Sequence, residues 1–148
     1  MSEIVSTLLL VAIVVSLGVI VFTFASSGLG SLTGSFTGLI SGQGNAAAEK
    51  FVVEQVAFTF TGTTGATVYV RNVGTVASTL VSVFIVDQST GTFVSQVALT
   101  TAQGTLNVGA VLPIPNTLLT FTPSHGHTYS FTVTSSLGNS AIFYAKAT

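Results

Sequence analysis

The stretch IVSTLLLVAIVVSLGVIVFTFA, from Ile4 to Ala25, decides how the rest of the chain is read. It carries no charge, and its only polar side chains are the small hydroxyls of Ser6, Thr7, Ser16 and Thr23. About 20 apolar residues, rising about 1.5 Å each, span the ~30 Å hydrocarbon core of a bilayer as a helix. Such a helix satisfies its own backbone hydrogen bonds, so it is at home in lipid or against other apolar helices. A cleaved secretory signal is the first rival. Against it, no basic region precedes the run, the run is too long, and no small-x-small cleavage site ends it. The buried helix of a soluble protein is the second rival, but one β-domain of the size that follows is too small to wrap it.

On the N-terminal side stands Glu3. A carboxylate in the first helical turn is favoured by the helix dipole, and Ser2 has the chemistry of an N-cap. That is the structural reading. The functional reading is that Glu3 pairs with the α-amino group of a neighbouring copy, which neutralises two charges in a dry core where an unpaired charge is expensive.

On the C-terminal side, residues 26–48 stay uncharged. Gly30, Gly34, Gly38 and Gly42 recur every four residues, while Leu29, Leu32, Phe36, Leu39 and Ile40 recur at spacings of three and four. At 100° per residue the five large side chains gather on one side of a helix, and the glycines fall mostly on the other with Ser31, Thr37 and Ser41. Small residues four apart let helix backbones approach closely. A flexible Gly/Ser linker is the alternative, although a linker has no need of large apolar residues at helical spacing. Each glycine costs about 1 kcal/mol relative to alanine, so a helix here needs neighbours to hold it. If helical from end to end, the element is about 70 Å long, far more than a bilayer requires.

Charge returns at Glu49-Lys50, and we place the domain boundary there: residues 1–48 form an assembly helix and residues 49–148 an outer β-domain. In the whole chain there are only three basic and four acidic residues. Ordinary domains are about one quarter charged. Without charge repulsion to keep copies apart, such a chain associates with lipid or with itself. No basic patch exists to grip a polyanion, so nucleic-acid binding is excluded. The absence of cysteine removes disulfides, thiolate catalysis and cysteine-type zinc sites.

Residues 51–148 read as all-β. Val56, Phe58 and Phe60 alternate with Ala57 and Thr59, Val68 and Val70 with Tyr69 and Arg71, and Tyr129, Phe131 and Val133 with Ser130, Thr132 and Thr134. Leu80–Val86 is apolar on both parities apart from Ser82, which predicts a central strand covered on both faces. Turn signals recur at 62–65, 72–74, 89–91, 103–104, 107–109 and 137–139. Together these predict an immunoglobulin-like sandwich of seven or eight strands behind the helix, an α+β chain. Pro113, Pro115 and Pro123 mark a loop or edge strand between Val111 and His125. Ser140–Ala145 follows a tight turn and forms a hairpin with the strand before it.

Chemistry is scarce. His125-Gly126-His127 is the one cluster with metal or proton-transfer potential, and a third ligand would have to come from Asp87, Glu54 or another distant group. An exposed loop after Pro123 is the simpler reading. Ser124 beside His125 does not make a triad, because sequence neighbours seldom point at each other. Gly28-Leu29-Gly30 with Gly34 loosely imitates a phosphate loop but follows a membrane-length helix rather than a strand. With two histidines and four acids in all, acid-base catalysis has few candidates. The chain reads as a non-enzyme that needs no cofactor or metal. It has no Asn-x-Ser/Thr sequon; O-linked sugar on Ser and Thr is compatible with its composition.

Three segments resemble archaeal type IV pilins and the related archaellins: Ser6–Val15, the run Val68-Tyr69-Val70-Arg71-Asn72-Val73-Gly74, and the ending Phe131–Thr134 with Gly138–Ala141. The resemblance covers the whole architecture. It implies that a short basic leader is removed by a class III signal peptidase, and the lack of a basic leader before Glu3 fits a chain numbered from its mature end. It further implies that the helix waits in the membrane, that an assembly platform extracts it, and that the helices then pack as the core of an extracellular homopolymer with the β-domains outside. The assembly residues it points to are Glu3, Leu8, Leu9, Leu10, Ile13, Val14, Leu17, Ile20 and Phe24, followed by Gly30, Gly34, Phe36, Gly38 and Gly42. Glu3 stands near, but not at, the place of the conserved glutamate of pilins outside the archaea. The modest length favours an adhesion pilus. Archaellin, the motility filament subunit, is the first alternative, and a single-pass anchored β-sandwich binding protein is the second.

Overall fold

The apolar run and the glycine-spaced segment behind it form one element, α1, an α-helix of 47 residues from Ser2 to Ala48. The structure is a computed structural model; it describes residues 2–148, and the side chains of all of these except residues 2 and 28–32. Residues 26–48 are therefore helix and not linker. Gly30, Leu29, Leu32 and the proposed Ser2 cap fall outside the described side chains. Hydroxyls along α1 bond back to the preceding turn: Ser16 Oγ donates to Ala12 O (2.8 Å), Thr23 Oγ1 to Val19 O (2.7 Å) and Thr37 Oγ1 to Thr33 O (2.9 Å). These three hydroxyls are thus satisfied without water.

The chain divides into two compact units, Met1–Gly42 and Gln43–Thr148. The division falls before the charge boundary at Glu49, because the last turn of α1 is tied into the second unit. That unit continues with β1 (Phe51–Thr59), β2 (Gly65–Asn72), β3 (Ser78–Asp87), β4 (Thr92–Ala98), a one-turn helix α2 (Thr101–Gly104), β5 (Thr105–Leu106), β6 (Val111–Ile114), β7 (Thr128–Ser135) and β8 (Ser140–Lys146). The chain is thus α+β, with eight strands in two antiparallel sheets. One sheet has the order β1-β2-β6; the other has β4-β3-β7-β8, with β5 pairing the start of β3.

Alternation builds the core. Val68 and Val70 from β2, Leu80, Val83 and Ile85 from β3, and Phe131 and Val133 from β7 are all fully buried. Ile114, Leu119, Leu106 and Tyr129 close the cluster. β6 is the proline-marked segment: Pro113 pairs with Tyr69 on the outer strand of the smaller sheet, where a missing N–H is tolerated. β7 and β8 form the expected C-terminal hairpin, from Thr128↔Lys146 to Thr134↔Ser140.

β3 departs from expectation. It is central, between β4 and β7, but only one of its faces is covered. A register shift between Leu80 and Ser82 changes its parity, so the inward residues are Leu80, Val83 and Ile85. Val81, Phe84 and Val86 look outward and remain partly exposed. The strand read as apolar on both parities because a bulge moves the inward set from one parity to the other.

Candidate assembly surface

α1 presents one long apolar surface. Among the described residues of Glu3–Ser27, none is buried in the stretch long and apolar enough to cross a membrane. Leu8, Leu9, Leu10, Ile13, Val14, Leu17, Ile20 and Phe24 are between 51% (Ile13) and 82% (Phe24) exposed, and Phe36 is 66% exposed. At about 25 cal/mol per Å² this is more apolar surface than a protein leaves in water without a function for it. Glu3 lies exposed in the first turn, with its backbone carbonyl accepting from Ser6 Oγ (2.9 Å) and Thr7 Oγ1 (2.7 Å). The described residues offer no partner for its carboxylate, and the α-amino group lies outside them.

Gly34, Gly38 and Gly42 stack along the helix, drifting about 40° per step. A methyl group added at any of them would meet nothing within 4 Å among the described residues. No packing among the described residues requires these glycines, although alanine would suit the helix better. Gly30, the fourth of the series, falls outside the described side chains.

At the other end of α1 the structure assembles a set of contacts that no sequence pattern announces. Glu49 follows the helix directly and is 5% exposed. Its Oε2 accepts from Ser135 Oγ (2.6 Å) and Asn139 Nδ2 (2.8 Å), both at the β7–β8 turn. Asn139 Nδ2 also donates to Ala46 O (2.7 Å), a carbonyl of the final helical turn. Thr75 N donates to Ala48 O (3.2 Å), and Glu49 N to Asn45 O (2.9 Å). A helix leaves its last carbonyls without intrahelical donors, and here the β-unit supplies them in place of a left-handed glycine cap.

The Asn72-Val73-Gly74 turn makes room for this. Asn72 is 1% exposed; its Nδ2 donates to Val76 O (2.8 Å) and Leu106 O (3.1 Å), and its Oδ1 accepts from Gly74 N (2.9 Å). A β-carbon at Gly74 would stand 2.5 Å from Lys50 N and 2.6 Å from Ala48 O. Only glycine lets the turn lie against the helix end. Both turns were legible as turns; their grip on the helix was not, because it depends on a carboxylate and an amide 90 residues apart.

The two histidines part company. His125 stacks on Phe60, with ring centroids 3.9 Å apart. His127 Nδ1 donates to Asp87 Oδ2 at 2.7 Å. That hydrogen bond, helped by Ser89 N at 2.9 Å, holds the Asp87 carboxyl below the usual carboxylate range against the opposing effect of burial. No group of three metal-ligating side chains converges among the described residues. Glu54 is engaged with Arg71 across the smaller sheet.

No protein-family model matches the chain, and no curated protein matches it by sequence. Solved structures do. The archaeal flagellum of Methanospirillum hungatei strain JF1 is similar over 97% of this chain and 92% of its own, with a TM-score of 0.65 at 16% identity. The archaellum periplasmic stator protein FlaG from Sulfolobus acidocaldarius matches 66% of this chain and 99% of its own, with a TM-score of 0.51 at 15% identity. At these identities the likeness is one of fold: a long apolar N-terminal helix joined to antiparallel sheets.

Proposed function

We propose that the chain is the structural subunit of an archaeal cell-surface filament of the archaellum kind, polymerised through α1, with no catalytic role. One observation carries this reading: the exposed apolar length of α1, in a chain whose likeness to the Methanospirillum filament covers 97% of its residues and so includes that helix. Before assembly, α1 lies in the membrane; in the filament, helices of neighbouring copies replace lipid. Glu3, Leu8, Leu9, Leu10, Ile13, Val14, Leu17, Ile20, Phe24, Phe36 and the glycines 30, 34, 38 and 42 are the proposed contacts. The internally bonded hydroxyls suit either environment, since neither offers water.

The modest length and simple outer domain favour an adhesion pilus. The full-length likeness to a flagellar filament now favours motility, and a pilus is the same architecture put to another use. The FlaG likeness supports a second reading, a β-unit held at the membrane by one helix, and leaves a third of the chain unaccounted for.

The test is electron microscopy of filaments sheared from cells, with mass spectrometry of their protein, alongside swimming and adhesion assays of a strain lacking the gene. Thin filaments made mainly of this chain, with swimming lost, are the expected result. Protein that stays in the membrane fraction as monomers overturns the filament reading in favour of the anchored one.

A further inference from the structure

We propose that Glu49 is a positioning residue: a buried clasp through which the β-unit holds the last turn of α1, so that the helix after Gly44 opens less readily than the helix before it. The inference does not depend on what the protein assembles into.

Four observations converge on it. The compact units divide between Gly42 and Gln43, within a continuous helix. Downstream of that point the helix end is held by Ser135 and Asn139 on Glu49 Oε2, by Asn139 on Ala46 O, and by Thr75 N on Ala48 O. Gly74 is sterically obliged to be glycine by that same contact. Upstream, Gly42 and Gly44 touch nothing within 4 Å that a side chain would reach.

Two glycines within three residues make the helix locally weak relative to alanine. Immediately after them, a buried carboxylate takes two short hydrogen bonds from one turn. Local opening of the helix is therefore expected to concentrate where propensity is lowest and tethers are absent. Glu49 Oε1 is buried with no hydrogen-bond partner among the described residues, and the bonds to Ser135 and Asn139 both fall on Oε2. That asymmetry makes a specific demand: one oxygen at the Oε2 position is required and the second is dispensable.

Hydrogen-deuterium exchange by mass spectrometry on the full chain in detergent micelles reads this directly. In the native protein, amides of residues 45–49 are expected to exchange at least about tenfold more slowly than those of residues 40–44. Glu49→Ala and, independently, Asn139→Ala bring 45–49 up to the rate of 40–44, while β3 and β7 keep their protection as the control for folding. Glu49→Gln, which keeps one carbonyl oxygen, stays within about threefold of native. Equal rates on both sides of Gly44 in the native protein overturn the proposal. So does an Asn139→Ala variant, folded by the β7 control, in which 45–49 remain protected. If Glu49→Ala loses β7 protection, the Asn139→Ala and Glu49→Gln variants decide the matter.

Discussion

Asn72 carries more structure than any other single polar side chain in the β-unit. It is fully enclosed, and its amide uses both donors and its acceptor to bind Val76, Leu106 and Gly74. Removing it leaves two carbonyls and an N–H without partners, each worth about 1 kcal/mol or more in a buried setting. Asn72→Ala is expected to lower the stability of the β-unit by about 2–4 kcal/mol, read as a shift in the urea midpoint with unchanged slope. Asp87 makes a different prediction. Because His127 and Ser89 hold its native carboxyl below the ordinary range, folding favours the ionised form. The resulting stability is complete above the ordinary carboxylate value of about 4 and is lost as pH falls through the lower native value. Urea midpoints measured from about pH 6 down to pH 2 are expected to fall across that window in the native protein. Asp87→Asn is expected to flatten that part of the fall. Neither role was legible from the sequence. Asn72 stood in a stretch read as a turn, and Asp87 stood 40 residues from the histidine that governs it.

For elements, the sequence was most informative where one periodicity ran unbroken. The first half of α1 was legible from an uncharged apolar run of membrane length; in residues 26–48 the spacing of glycines and large apolar residues favoured helix, with a flexible linker left as the alternative. β2 and β7 were legible because Val68 and Val70, and Tyr129, Phe131 and Val133, keep strict alternation to full burial. Reading failed where a bulge switches parity. In β1 the shift between Val53 and Gln55 leaves Phe51 and Val53 buried on one parity and Val56 and Phe58 half-buried on the other. β3 misled for the same reason. α2 and β5 were too short for any period to register. At this scale the glycine series makes the sharpest prediction. Gly34→Ala and Gly38→Ala are expected to raise intrinsic helix stability by about 1 kcal/mol each. They are nevertheless expected to weaken assembly, because the added methyl groups meet nothing within the subunit but hold a neighbouring backbone away. Sedimentation of reassembled material, compared with the helicity of the isolated segment, separates the two effects. More assembly in step with more helicity contradicts the close-packing role.

The molecule as a whole is a membrane-length apolar helix joined to a nearly uncharged β-unit. With three basic and four acidic residues, little electrostatic repulsion opposes the crowding of many copies. The hydrophobic effect is indifferent to whether lipid or protein covers the apolar helix, so close packing between helices has to favour the assembled state of the proposed filament. A chain lacking residues 1–42 is accordingly expected to remain monomeric at concentrations where the full chain polymerises. The measurement that tests the account most directly is a helical reconstruction of filaments formed by the full chain, from electron cryomicroscopy. The account predicts α1 helices packed along the axis, with residues 8–24 buried between copies and the β-units outside. A filament whose axis is lined by β-units, with α1 exposed at its surface, contradicts it.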